Sequence, residues 1–224
     1  MKKINIAIDG PSAAGKSTIA DQLSKKIHYV HLDTGAMYRC VGLLCVRSGI
    51  ALKDEDAVME LLKDAVIDQT EDGKSFLNGE DVSELIRTDE ISLAASDVST
   101  LGAVRRAMVG LQQKMTARKG FIVDGRDIGT VVLPDAELKI FMTATVEARA
   151  IRRYKQNLKN GMEADLEQIK ADIAARDYQD THREESPLRK AEDAVEIDTS
   201  ELSIEEVTEA VLALALPLMQ EDEA

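Results

Sequence analysis

Ile4-Asn5-Ile6-Ala7-Ile8-Asp9-Gly10-Pro11-Ser12-Ala13-Ala14-Gly15-Lys16-Ser17-Thr18 is the stretch from which the fold can be read. The β-branched apolar run Ile4 to Ile8 reads as a buried parallel strand. Gly10 to Ser17 matches G-x-x-x-x-G-K-[ST] at every position. Ser17 to Ile27 continues as an amphipathic helix with Ile19, Leu23 and Ile27 on one face. A strand, a glycine loop and a helix N-terminus point backbone N–H groups at one spot. The helix dipole adds partial positive charge there, so an anion of phosphate size is favoured. The expectation is a nucleoside-triphosphate site built from Gly10, Pro11, Ser12, Ala13, Ala14, Gly15, Lys16, Ser17 and Thr18. Lys16, expected in a solvated cleft, would reach the β- and γ-phosphates, and the Ser17 hydroxyl would ligate Mg²⁺. Ala13 within the loop is tolerable if its φ is negative.

Working outward, a second strand pattern ends at His31-Leu32-Asp33, and helical periodicity runs from Ala36 to about Arg47, closing at Gly49. Residues 54 to 64 read as a short helix. Val66 to Gly79, with turn signals at Glu71-Asp72-Gly73 and Asn78-Gly79, reads as a small antiparallel hairpin in an inserted lobe. Helix resumes near Thr88 and again from Leu101, where Val104, Met108, Leu111 and Met115 form an apolar stripe suited to core packing. Strands follow at Gly120 to Asp124 and Leu138 to Met142. A charged helical region, Val146 to Arg183, breaks around Gly161. The last strand is Ala194 to Ile197, and a final helix carries Ile204, Val207, Val211, Leu214 and Leu218. Five strands alternating with helices predict an α/β fold with an open parallel sheet.

The chain of 224 residues is long enough for one domain with inserted lobes. Its 28 Lys and Arg against 41 Asp and Glu give a net charge of −13. Eleven of those acids lie in residues 191–224, which hold no Lys or Arg, so the first 190 residues carry 28 basic and 30 acidic groups. An anionic substrate is therefore compatible with the total, and the acidic tail reads as a solubility aid. No basic stripe suggests nucleic acid. The two cysteines, Cys40 and Cys45, fit no metal spacing and read as reduced thiols of a cytoplasmic protein. The apolar run ending at Asp9 is too short for a signal peptide, and no stretch approaches a membrane span. His28 and His31 read as a helix-end and a strand residue.

Two further clusters carry chemistry. Phe121-Ile122-Val123-Asp124-Gly125-Arg126-Asp127-Ile128-Gly129 is an apolar strand ending in aspartate, the usual partner of a phosphate loop. Asp124 could hold Mg²⁺ directly or through water. Arg126 and Asp127 must lie at the carboxyl edge of the sheet, where ligands gather. In Arg176-Asp177-Tyr178-Gln179-Asp180-Thr181-His182-Arg183, a helix would put Arg176, Asp180 and Arg183 on one face, a ladder of two cations around one acceptor. Arginine forks suit bidentate phosphate binding, and an aspartate can accept from ribose hydroxyls. A solvated turn in the first cluster and surface ion pairs in the second are the bland alternatives.

Together with Leu32-Asp33-Thr34-Gly35-Ala36-Met37-Tyr38-Arg39, Ala94-Ala95-Ser96, Val104-Arg105 and the continuation Thr130-Val131-Val132, these clusters resemble the bacterial cytidylate kinases, P-loop nucleoside monophosphate kinases. The resemblance covers nearly the whole chain. It implies a P-loop kinase fold, with a five-stranded parallel sheet flanked by helices and with inserted NMP-binding and lid subdomains. The kinase domain would be single over 1–224, its core 1–37, 88–153 and 180–224, the NMP-binding insert 38–87 and the lid 154–179. It implies transfer of the γ-phosphoryl group of Mg-ATP to CMP or dCMP by a cytoplasmic monomer, with Mg²⁺ as cofactor. Lys16, Arg126, Arg176 and Arg183 would be catalytic. Arg39, Arg126 and Thr34 would clamp the acceptor phosphate, and Ser96, Arg105 and Asp127 would read cytosine. Arg176, Asp180 and Arg183 would contact ribose and phosphate, and Arg149 and Arg153 would be mobile lid arginines on ATP. A kinase for UMP, AMP or a shikimate-like acceptor remains the main rival. A GTPase lacks its Asn-Lys-x-Asp reader here, and a nucleic-acid-stimulated ATPase lacks a partner surface.

Overall fold

The computed structural model describes residues 2–159 and 161–220 of the 224. In chain order the elements are β1 (Asn5–Asp9), α1 (Lys16–Ile27), β2 (Val30–Asp33), α2 (Thr34–Ser48), α3 (Glu55–Leu62), β3 (Ile67–Gln69), β4 (Ser75–Leu77), β5 (Glu80–Asp81), α4 (Asp89–Val98), α5 (Gly102–Thr116), β6 (Phe121–Gly125), β7 (Leu138–Thr143), α6 (Val146–Lys159), α7 (Leu166–His182), β8 (Val195–Asp198) and α8 (Ile204–Leu218). Five strands make the main sheet, in the order β2-β6-β1-β7-β8. The pairings of β1 with β6 and β7, and of β7 with β8, are parallel, with Asp9 opposite Gly125 and Phe141. The expected α/β architecture is therefore present. The last four residues of the acidic tail, 221–224, lie outside the described residues.

The chain divides into two compact units, residues 1–29 with 119–224 and residues 30–118. In the first, β1 and β6 are buried at all five positions, which is what unbroken apolar runs require of central parallel strands. Ile19, Ala20 and Leu23 of α1 and Val207, Val211 and Ala215 of α8 join Ile4, Ile6, Ile8, Ile122 and Ile140 in one core. Ser203 caps α8 in a reciprocal capping box with Glu206. Helices α6 and α7 carry a separate small cluster built on Ala150, Ile169 and Ile173. Between β6 and β7 the chain makes a single π turn, Ile128–Val132, which the sequence did not suggest.

In the second unit, Asp33 and Thr88 cap α2 and α4 with their side chains, and Gly49 closes α2 in the left-handed region. The expected hairpin has a third strand: β3, β4 and β5 form an antiparallel sheet. Asn78 and Gly79 turn β4 into β5 with φ of 52° and 82°, the paired positive angles of a tight hairpin turn. A two-residue strand with both side chains exposed leaves no hydrophobic alternation to read. The α5 stripe also differs from expectation. Val104 and Met108 are buried, but Leu111 and Met115 are only half-buried, and Gln112 and Thr116 take the interior positions. The buried face follows the i, i+4 row from Val104, and the Thr116 hydroxyl is satisfied by donating to Gln112 O at 2.8 Å.

Candidate active site

The phosphate loop leaves β1 at Gly10, whose φ is 149° and whose missing Cβ would stand 2.1 Å from the carbonyl oxygen of Met142. No side chain fits there, so the loop stays tight against β7. Gly15 (φ 99°) then leads into α1. Ala13 departs from expectation: its φ is 59°, in the left-handed region, where a Cβ costs about 1 kcal/mol or more. The loop imposes that angle because its amides must all turn toward one centre.

Lys16 is not in a solvated cleft but buried, 5% exposed. Its Nζ donates to Pro11 O at 2.8 Å, and it makes no other hydrogen bond and no ion pair among the described residues. Burial, then the charge of Arg126, lowers its pKa to about 7, against the opposing pull of Asp124, Asp180 and Asp9. A buried ammonium with most of its donors unused is a demand for an anion. Beside it the Ser17 hydroxyl donates to Asp124 Oδ2 at 2.9 Å, bringing together the two oxygen donors the sequence singled out.

The second cluster folds over the third. Arg126 Nε donates to Asp180 Oδ2 at 2.7 Å. Burial works against both charges. Asp180 outweighs it for Arg126, and Arg126, with Arg176 and Arg183 behind it, holds Asp180 below the usual carboxylate range. Along the helix, Arg176 and Arg183 both act on Asp180. Helix α7 ends at His182, and Arg183 follows as an extended cap (ψ 146°). Its guanidinium turns inward, donating to Ser186 O at 2.5 and 2.8 Å and lying 3.8 Å from Asp180 and 3.9 Å from Asp127. Tertiary contacts bring Arg126 and Asp127 to the pair Asp180 and Arg183, which helical spacing already sets side by side.

The two lid arginines differ. Arg149 is 3% exposed and is held by a fork onto Asp177 (2.9 and 2.5 Å) and by carbonyls of Ser12 (3.1 Å) and Ala144 (2.9 Å). It links α7 to the phosphate loop, and Asp177 is a partner that the sequence did not point to. Arg153 is half-buried and makes no ion pair among the described residues.

The remaining residues singled out in the sequence lie in the second unit. Asp33 accepts from Ala36 N (2.8 Å) and from Arg39 Nη2 (3.0 Å), while Gln69 grips the Asp33 backbone at both its N–H (3.0 Å) and its carbonyl (2.7 Å). Gln69 was not anticipated; its partner is 36 residues away. Thr34 is buried in the first turn of α2, and Arg39 Nε is buried without a hydrogen-bond partner among the described residues. Arg105, 3% exposed, donates to Ser99 O at 3.2 Å and stacks on Tyr38, its guanidinium carbon 5.5 Å from the ring centroid. Ser96 is half-buried on the last turns of α4. Cys40 and Cys45 are buried free thiols, and burial pushes Cys40 up to about 11.

A family model described as cytidylate kinase matches residues 6–216. The chain is 49% identical over 218 residues to a cytidylate kinase of Bacillus anthracis, covering 96% of this chain and 97% of that one. It is 49% identical over 216 residues to a cytidylate kinase of Bacillus cereus, covering 95% and 96%. Among solved structures, a gluconokinase from Sinorhizobium meliloti superposes with a TM-score of 0.51 at 13% identity over 97% of this chain and 94% of that one, a likeness of fold.

Proposed function

The chain belongs to the cytidylate kinase family, and on that premise we propose how its own side chains carry out phosphoryl transfer from ATP to CMP or dCMP. One observation carries the reading: Lys16 is a buried ammonium at the mouth of a glycine loop with only a carbonyl as partner. Triphosphate oxygens would supply the missing counter-charge and hold it protonated. Loop amides from Gly10 to Thr18 would surround the same phosphates. Ser17 and Asp124 fit a magnesium ion, because both are hard oxygen donors already within 2.9 Å of each other. When bound, that ion would neutralise charge on the phosphates.

The acceptor needs no general base. A nucleoside monophosphate has a second pKa of about 6, so its oxygens are already ionised near neutrality. What remains is alignment and charge neutralisation. Arg126 and Arg183, held by Asp180, are proposed to grip the transferring and acceptor phosphates, with Arg176 beside them. Asp180 is proposed to accept from ribose hydroxyls. Arg39 and Thr34 are proposed to clamp the acceptor phosphate; the unused Arg39 Nε supports this. Ser96, Arg105 and Asp127 are proposed to read the cytosine edge, and Arg149 and Arg153 to line the ATP side. Residues 38–87 and 154–179 are proposed as the insert and the lid that exclude water. A cytoplasmic monomer is the proposed working state.

The test is a coupled ADP-release assay with Mg-ATP against CMP, dCMP, UMP, AMP and shikimate. Turnover with the cytosine monophosphates and little with the others is expected. Turnover with another acceptor and none with CMP or dCMP would overturn the reading.

A further inference from the structure

The residue just ahead of the phosphate loop is buried, charged and unused by the mechanism above. Asp9 ends β1 with 4% exposure, and its carboxylate accepts from the backbone N–H of Ile128 through Oδ1 and of Gly129 through Oδ2, both at 2.7 Å. These amides open the π turn that follows Arg126 and Asp127. Asp127 itself sits at φ −140° and ψ 27°, outside the regular regions, and its carbonyl accepts from Val131 N (2.9 Å) and Val132 N (3.2 Å), so its backbone moves with that turn. Gly129 packs so closely that a Cβ would stand 3.4 Å from Asp9 Oδ2 and 3.2 Å from Lys139 Cδ. One carboxylate thus ties the start of the phosphate loop to the turn that directly follows Arg126 and Asp127.

We propose that Asp9 is a positioning residue for acceptor selection: it touches no substrate but fixes the backbone that aims Asp127 and Arg126. The proposal rests on the assignment of those two residues to the acceptor. A neutral apolar side chain at position 9 would leave two buried amides without acceptors. An isosteric amide could serve only one of them, because its NH₂ would face the other N–H. Either change frees the turn, and a displacement of about 1 Å is enough to cost a reacting group its alignment.

Asp9→Asn is the informative variant, with Gly129→Ala as a second that presses on the same carboxylate without removing its charge. The expected result for both is a rise of about tenfold in KM for CMP and a comparable loss of CMP-over-UMP selection. KM for ATP should stay within about threefold. Amide exchange at Ile128 and Gly129 should quicken while the rest of β6 stays protected. If KM for ATP, KM for CMP and the melting temperature all worsen together, Asp9 is only a structural brace and the proposal falls. If the wild type ignores cytosine monophosphates, the substrate assignment has failed and amide exchange alone decides. Faster exchange confined to Ile128 and Gly129 then upholds the positioning role, and unchanged exchange overturns it.

Discussion

In the main sheet, β1 and β6 bury every residue; β1 ends in Asp9 and β6 carries Asp124 one residue before its end, charged groups kept almost wholly from water. In the small sheet of the second unit, β5 has two residues, both exposed, and its charges pair across the surface: Glu80 with Arg47 and Asp81 with Lys74. Both regions carry charged side chains, yet the consequences differ. A buried charge must be matched, so removing one partner leaves another stranded. A solvated pair competes with water and salt at every moment and contributes little. Chemistry collects in the first setting because fixed, dehydrated charges act strongly and need no reorganisation.

Four substitutions probe that contrast. Lys16→Ala should lower kcat by at least about 10³-fold in the ADP-release assay. The same variant should respond differently to pH. The Lys16 pKa is lower in the fold (about 7) than the ordinary 10.5, so the unfolded chain takes up the proton between those values. Wild-type stability should therefore gain about 2 kcal/mol relative to Lys16→Ala between pH 7 and pH 9, measured by urea unfolding. A constant difference would mean that the amine is solvated after all. Next, Arg126→Ala should destabilise by about 3 kcal/mol, the low end for a broken buried pair because the Arg126 side chain keeps 19% exposure. A loss too small to measure would place the Arg126–Asp180 pair with the surface ones.

Ala13→Gly should relieve the left-handed strain and raise stability by about 1 kcal/mol, a Tm gain of about 2–4 °C. An unchanged or lower Tm would show that the loop holds φ 59° without cost. The smallest effect belongs to the small sheet. Arg47→Ala removes a fork onto Glu80 at 2.6 and 2.9 Å, yet both partners stand in solvent, and no resolvable Tm change is expected. A drop of several degrees would erase the distinction between the two regions.

Much of the main sheet was legible because its signals are local. A β-branched run, a glycine loop and an amphipathic helix occupy adjacent residues, and their geometry follows from the backbone and the 3.6-residue period. Asp9, Asp177 and Gln69 were visible as residues but not as partners. Their hydrogen bonds reach 119, 28 and 36 positions along the chain, and no window of sequence contains both ends. For Arg183, helical spacing accounts for the neighbour Asp180, while its contacts with Ser186 and Asp127 depend on chain outside the helix. Gln112 escaped because hydrophobicity alone marks interior positions on a helix, and a polar residue on the buried row is silent.

The order of strands and helices and the phosphate loop itself were written in the chain, since each depends on neighbours within a few residues. Which charges lie buried, which carboxylate holds which cation, and that Lys16 sits out of water were decided only on folding. Burial and the pairing it demands arise from segments that meet in space, and free energy of that kind belongs to the assembled core rather than to any stretch of sequence.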